Sequence, residues 1–167
     1  MQRVIVIGCS GSGKSTLARK LASQTGLPLI HLDREYWLPG WKERGKDEWQ
    51  ARVEEFTQRA AWIIDGNFSA TLGVRVAAAD TIVFLDFPRW RCLARVLLRI
   101  AQSHGKVRHD MAPGCPERFD WGFLKWIWNW PRHSRPHVLA ALTEASGRVY
   151  VLQRPADITL FLREIAT

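Results

Sequence analysis

Short apolar, β-branched runs alternate with longer amphipathic stretches along this chain. Val4-Ile5-Val6-Ile7 predicts a first strand. Leu29–Leu32, Trp62-Ile63-Ile64, Thr81–Leu85 and Arg148–Leu152 predict four more. The run Thr81–Leu85 is apolar without alternation, as in a strand covered on both faces. Helical spacing fills the gaps. Lys14–Thr25 carries Leu17 and Leu21 on one face and closes at Gly26. From about Asp47 to Ala61 the apolar seam is Trp49, Val53 and Phe56. Shorter patterns cover Ala70–Ala79 and Ala156–Ala166, and Pro88 opens another helix. Strand and helix in alternation predict one α/β domain over 1–167, built on a parallel sheet with right-handed crossovers. The pattern is irregular over Arg34–Trp41 and breaks over Gly105–Pro116, the expected mobile loop.

Between the first strand and first helix runs Gly8-Cys9-Ser10-Gly11-Ser12-Gly13-Lys14-Ser15-Thr16. It fits G-x-x-x-x-G-K-[ST] in the strand–loop–helix context that gives this pattern meaning. Glycines let backbone N–H groups turn inward around an anion, and the helix N-terminus adds unpaired donors. Lys14 is then expected at the β- and γ-phosphates, and Ser15 at Mg²⁺.

Two carboxylates end early strands, where a parallel sheet places its ligand: Asp33 and Asp65. Asp65, followed by Gly66, is the expected metal-side acid, with helix capping as the alternative. Asp86 reads as a cap or wall residue. After Pro88, Arg91, Arg95 and Arg99 form a stripe opposite Leu93, Val96, Leu97 and Ile100, which are expected to pack inward. That stripe is either a solvated face or a guanidinium row aimed at a triphosphate. The segment Trp121–Trp130 is apolar almost all round, with Lys125 and Asn129 as its narrow polar strip. It is expected to be buried, with an exposed aromatic patch as the alternative. Trp37 and Trp41 wall an acceptor pocket or pin a loop.

Composition changes the picture in two places. The formal net charge is +8, and Pro88–His109 holds six Arg or Lys with no Asp or Glu. This concentration favours an anionic ligand pocket over a nucleic-acid surface, although the latter stays possible without a recognisable motif. Cys9, Cys92 and Cys115 lack paired or metal-ligand spacing and read as free thiols of a reducing cytoplasm. The apolar stretch after Arg3 is too short for a signal peptide, and no run of about 18 apolar residues predicts a membrane span.

The chain resembles P-loop small-molecule kinases of the adenylate kinase type, and among them the DNA topology modulation proteins. The resemblance rests on the phosphate loop, His31-Leu32-Asp33 with Tyr36-Trp37 and Pro39-Gly40-Trp41, and Trp62-Ile63-Ile64-Asp65-Gly66-Asn67. It continues through Phe84-Leu85-Asp86-Phe87-Pro88, Asp110-Met111-Ala112 and Gly114–Asp120. It implies a three-layer P-loop NTPase fold with strand order 2-3-1-4-5, an acceptor-binding segment at about 34–60 and a small lid at about 104–118. It also implies that Asp65 lies near Mg²⁺ and that Arg95 and Arg99 contact ATP base and phosphates. Arg108, Arg118, Arg132 and Arg135 become lid or post-lid arginines. Arg154 and Pro155, with Arg95, would border adenine.

One departure bears on the acceptor. Ser69 stands where adenylate kinases carry an arginine for the acceptor's phosphate, leaving Arg75 as a substitute grip. Asp33 resembles the acceptor aspartate of kinases that phosphorylate hydroxyls, where a base within reach helps. The expected activity is ATP- and Mg²⁺-dependent phosphoryl transfer to a nucleoside, another hydroxyl compound or a nucleoside monophosphate. Asp33, Tyr36, Trp37, Trp41, Asn67 and Arg75 would surround that acceptor. The alternatives are a nucleic-acid-associated ATPase affecting DNA topology and a nucleotide-binding regulator.

Overall fold

A computed structural model describes residues 1–165. The sheet is built from β1 (Arg3–Gly8), β2 (Leu29–His31), β5 (Trp62–Asp65), β6 (Thr81–Leu85) and β7 (Arg148–Leu152). All four pairings are parallel, in the order β2-β5-β1-β6-β7. Counting only these five strands, that is the expected 2-3-1-4-5. The numbering shifts because β3 (Trp37–Leu38) and β4 (Lys42–Glu43) form a separate antiparallel ribbon. The sequence pattern left that stretch irregular, since two-residue strands carry no periodicity.

β1 lies in the middle of the sheet. Val4, Ile5, Val6 and Ile7 are fully buried, as are Ile63, Ile64 and Ile82 to Leu85 beside them. Such strands must be covered on both faces. α1 (Lys14–Thr25) packs on β1, β2 and β5. α3 (Lys46–Gln58), α4 (Leu72–Ala78) and α7 (Arg135–Thr143) pack in succession against one another. Right-handed crossovers put α1 on one face and this group on the other. α5 (Arg89–Ser103) and α6 (Trp121–His133) pack together and lead into α7, and α8 (Pro155–Glu164) lies on β7. The predicted end of the last helix at Ala166 lies outside the described residues.

Three expectations need correction. β2 stops at His31, and Leu32 and Asp33 begin the short helix α2 (Leu32–Tyr36). β2 is a sheet edge paired only with β5. Leu32 is fully buried at Gly66, where an added Cβ would stand 2.7 Å from that of Leu32. On α5, Cys92, Val96 and Ile100 face the core, but Leu97 is exposed. The tryptophan-rich α6 is not buried all round. Leu124, Ile127 and Trp130 face inward at helical spacing, whereas Trp121 and Trp128 are exposed. Its neighbours α5 and α7 cover only part of its circumference. The three cysteines are buried free thiols.

One buried charge organises the β5–α4 connection. Arg75 is fully buried. Its guanidinium donates to the carbonyls of Gly66 at 3.0 Å, Phe68 at 2.9 Å and Thr71 at 3.2 Å, and to that of Asn67. Phe68 has φ 32°, and these bonds hold the turn that contains it. Burial pushes the guanidinium down to about 9, while nearby Asp65 acts in the opposite sense. Four carbonyls would lose their donor together if Arg75 were removed. Arg75→Met is therefore expected to lower unfolding free energy by about 2–4 kcal/mol. Arg75→Lys should recover only part of that, because an ammonium lacks the planar fork. Urea unfolding checks both, and an unchanged midpoint for Arg75→Met would contradict this role.

Candidate active site

The carboxyl ends of the parallel strands open on one cleft of about 900 Å³. Ser10, Gly11, Gly13, Lys14, Ser15 and Thr16 form its floor. Gly11 has φ 85° and Gly13 φ 102°, conformations that glycine adopts without strain. No side chain caps α1, so its first N–H groups are available to an anion. Lys14 is nearly buried and donates from Nζ to the Cys9 carbonyl at 3.2 Å. Arg95 reaches the Ser12 carbonyl at 3.4 Å, and its guanidinium lies 3.3 Å from where a Gly13 Cβ would stand. Gly8 and Ser12 support the loop from beneath rather than line the cleft. Gly8 donates to Asn67 Oδ1 at 3.1 Å, and Ser12 is fully buried with its N–H on the Cys9 carbonyl.

The 104–118 segment lies over this floor. Met111, Ala112 and Cys115 make a small buried cluster with Trp37 and Trp41. The Gly40 N–H donates to the Gly114 carbonyl at 3.0 Å, and the Cys115 thiol to the Leu38 carbonyl at 3.3 Å. Glu117, nearly buried, ties the segment to α5. Its Oε1 accepts from Arg99 at 2.8 and 3.1 Å, and its Oε2 is 3.1 Å from Arg108 Nε. Burial pushes Arg99 below its usual range, and neighbouring Arg108 adds to this. Arg118 lies 5.1 Å over the Trp41 ring, a cation–π contact.

Asp33, on the first turn of α2, faces the cleft with Lys14. Burial pushes its carboxyl above the usual range, only partly offset by Lys14, and Asp65 raises it further. Asp65 itself does not line the cleft. It is buried with Oδ2 2.8 Å from His31 Nδ1, so its contact is with the imidazole. The carboxylate that faces Ser15 is Asp110. Burial acts to raise it, but Arg108, the Ser15 hydroxyl and His109 together hold it below the usual range. Asp110 is 7% exposed, and its Oδ1 has no hydrogen-bond partner, with Arg108 Nε at 3.5 Å. The sequence signal was available, since Asp110 is the first acid after the long basic stretch from Pro88.

Several other expected site residues are placed elsewhere. Tyr36 sits in an aromatic cluster with Trp37, Trp49 and Phe68. Arg75 is committed to four carbonyls and offers no grip to a ligand. Arg132 is exposed, off the inward face of α6. Arg135 forms a two-pronged pair with Asp86, both contacts 2.8 Å, so Asp86 is neither a cap nor a wall of the cleft. Arg154 pairs with Asp157 at the start of α8, and neither it nor Pro155 lines the cleft. Sequence reasoning also missed Phe68, Phe123, Trp126, Trp130 and His137, which do line it. Their types suggested core or surface, and only the crossing of α4, α6 and α7 brings them to the opening.

No family model matches the chain, and no curated protein matches it. Solved structures do. A shikimate kinase from Acinetobacter baumannii, in complex with shikimate, shares 17% identity over 99% of this chain and 90% of its own, with a TM-score of 0.64. A shikimate kinase from Bacteroides thetaiotaomicron shares 19% over 98% and 95%, with a TM-score of 0.57. A gluconokinase from Sinorhizobium meliloti 1021 shares 16% over 99% and 93%, with a TM-score of 0.53. None of them bears on the closer resemblance to DNA topology modulation proteins. What this chain shares with them is the α/β fold with a five-stranded parallel sheet.

Proposed function

We propose that the protein is an ATP-dependent phosphotransferase acting on the hydroxyl of a small acceptor. The observation that carries this reading is the convergence of Lys14, Ser15, Asp33, Arg95 and Arg99 on one cleft above the glycine loop. The loop fits a nucleotide's phosphates, with left-handed glycines, uncapped helix donors and an ammonium held at its rim. Lys14, Arg95 and Arg99 offset the charge of the transferring group, and the 104–118 lid excludes water from it. Asp33 accepts the proton from the acceptor hydroxyl. The acceptor oxygen forms its bond to the γ-phosphorus as the bond to the oxygen of ADP breaks, and that oxygen keeps the electron pair. The similar folds of a shikimate kinase and a gluconokinase support the same class of reaction.

Among the described residues no group of three or more His, Cys, Asp and Glu could hold a metal by itself. A Mg²⁺ ion here would be held by Ser15 and by Asp110, whose buried Oδ1 makes no hydrogen bond, together with the nucleotide. When bound, it supplies neutralisation of charge on the β- and γ-phosphates. The nucleic-acid reading retains one observation, the exposed Trp90, Trp121 and Trp128, with Arg89 stacked 4.0 Å over Trp128. No helix among the described residues is long and apolar enough to cross a membrane.

Three variants test the transfer reading by ADP release against an acceptor panel. Lys14→Ala is expected to lower kcat/KM about a thousandfold, and full turnover would remove the mechanism. Asp33→Asn is expected to lower kcat by a factor of about 100 or more. Because burial raises Asp33, the acid limb of wild-type kcat/KM should lie above the usual carboxylate range. That acid limb should vanish in Asp33→Asn. Asp110→Asn should raise the Mg²⁺ concentration for half-maximal tightening of ADP binding about tenfold. An unchanged Mg²⁺ requirement would return the metal role to Asp65.

A further inference from the structure

Resting on the kinase reading, we propose that the acceptor is a ring-bearing hydroxyl compound without an anionic group. The acceptor end of the cleft has three walls. Asp33, Trp37, Trp41 and Glu43 form one, Asn67, Phe68 and Leu72 the second, and Phe123, Trp126, Trp130 and His137 the third. The cation at these walls is Arg118, which lies 5.1 Å over the Trp41 ring and 3.5 Å from Asp120, and His137 is an exposed imidazole.

The cations that do line the cleft come from the phosphate loop, α5 and the lid, and each has a partner. Lys14 and Arg95 hold loop carbonyls. Arg99 and Arg108 share Glu117. Arg118 stacks on Trp41, with Asp120 at 3.5 Å. On the acceptor side Arg75 is locked in the turn below, Arg44 pairs with Glu48, and Arg52 pairs with Glu35. A carboxylate or phosphate on the acceptor would therefore enter without a free counter-charge and would face Asp33 and Glu43. Burying an unpaired anion beside like charges is strongly unfavourable.

The aromatic walls supply what the charges do not. Trp37 and Trp41 meet edge to face at 5.4 Å between centroids, as do Trp126 and Trp130 at 5.2 Å. Trp130 is buried and Trp41 carries Arg118, but Trp126 is 37% exposed and Trp37 half-buried, and such rings present a face on which a base or a sugar ring stacks without any demand for charge. A nucleoside and an amino sugar share this chemistry, the second adding a cation that Glu43 and the rings would welcome. The bond changes are those of the proposed transfer, with the ring-bearing compound supplying the hydroxyl.

The test uses the whole protein with Mg²⁺ and a non-hydrolysable ATP analogue. Tryptophan fluorescence and calorimetry read acceptor binding, and ADP release with ATP reads turnover. The panel pairs nucleosides with their monophosphates, and neutral sugars and amino sugars with the hydroxy acids shikimate and gluconate. The expected result is binding and turnover of at least one non-anionic ring compound, with its anionic counterpart about 100-fold or more weaker in kcat/KM. Trp126→Ala should raise the acceptor Kd about tenfold and leave the ATP analogue's Kd unchanged. Preferred turnover of a monophosphate or hydroxy acid would overturn the inference while leaving the kinase reading intact. So would nucleotide binding with no response to any non-anionic compound. Absence of nucleotide binding would instead overturn the kinase reading on which it stands.

Discussion

Gly11 has no room for a side chain, because a Cβ there would stand 2.3 Å from the Cys92 carbonyl and 2.9 Å from Val96. The glycine loop is thereby pressed against the backbone of α5. The rest of the site follows from that contact. α5 runs past the loop with Arg95 over Gly13, and one turn later Arg99 meets Glu117 of the 104–118 segment. Loop, helix and segment form a continuous set of contacts that begins at one glycine. On the other side the loop is tied to the β5–α4 turn by Gly8 and Asn67. Arg75 holds that turn in shape from inside the fold.

Charge is distributed along this frame with a clear polarity. Cations gather around the glycine loop and α5, and the acids that balance them, Asp110 and Glu117, lie in the 104–118 segment. On the side lined by α2 and the β3–β4 ribbon, Asp33 and Glu43 stand beside aromatic rings, with Arg118 over Trp41. The net charge of +8 is therefore not spread evenly around the cleft. Overall charge describes the molecule's long-range field. It does not describe the side of the cleft that Asp33 and Glu43 line.

What the sequence made legible was whatever backbone geometry demands of residue type. Left-handed positions wrote themselves as Gly11 and Gly13, and buried parallel strands as Val4–Ile7 and Thr81–Leu85. Side-chain commitments were not legible, because one residue type serves opposite ends. Arg75 and Arg95 look alike in a sequence. One sits under four carbonyls and the other beside the phosphate loop. Asp65 and Asp110 differ in the same way, the first turned to His31 and the second to Ser15. Trp126 and Trp130 belong to a helix that hydrophobicity alone assigns to the core. Trp130 is buried there, at the edge of the cleft, whereas Trp126 lines the cleft partly exposed.

The central claim is that the glycine loop binds a nucleotide's phosphates because its backbone is held open against α5. Calorimetric titration of wild type and Gly11→Ala with Mg²⁺ and a non-hydrolysable ATP analogue tests it most directly. The account predicts single-site binding by wild type and loss of that binding in Gly11→Ala, since the added Cβ cannot fit beside Cys92. No heat from wild type, or equal affinity in a folded Gly11→Ala variant, would contradict it.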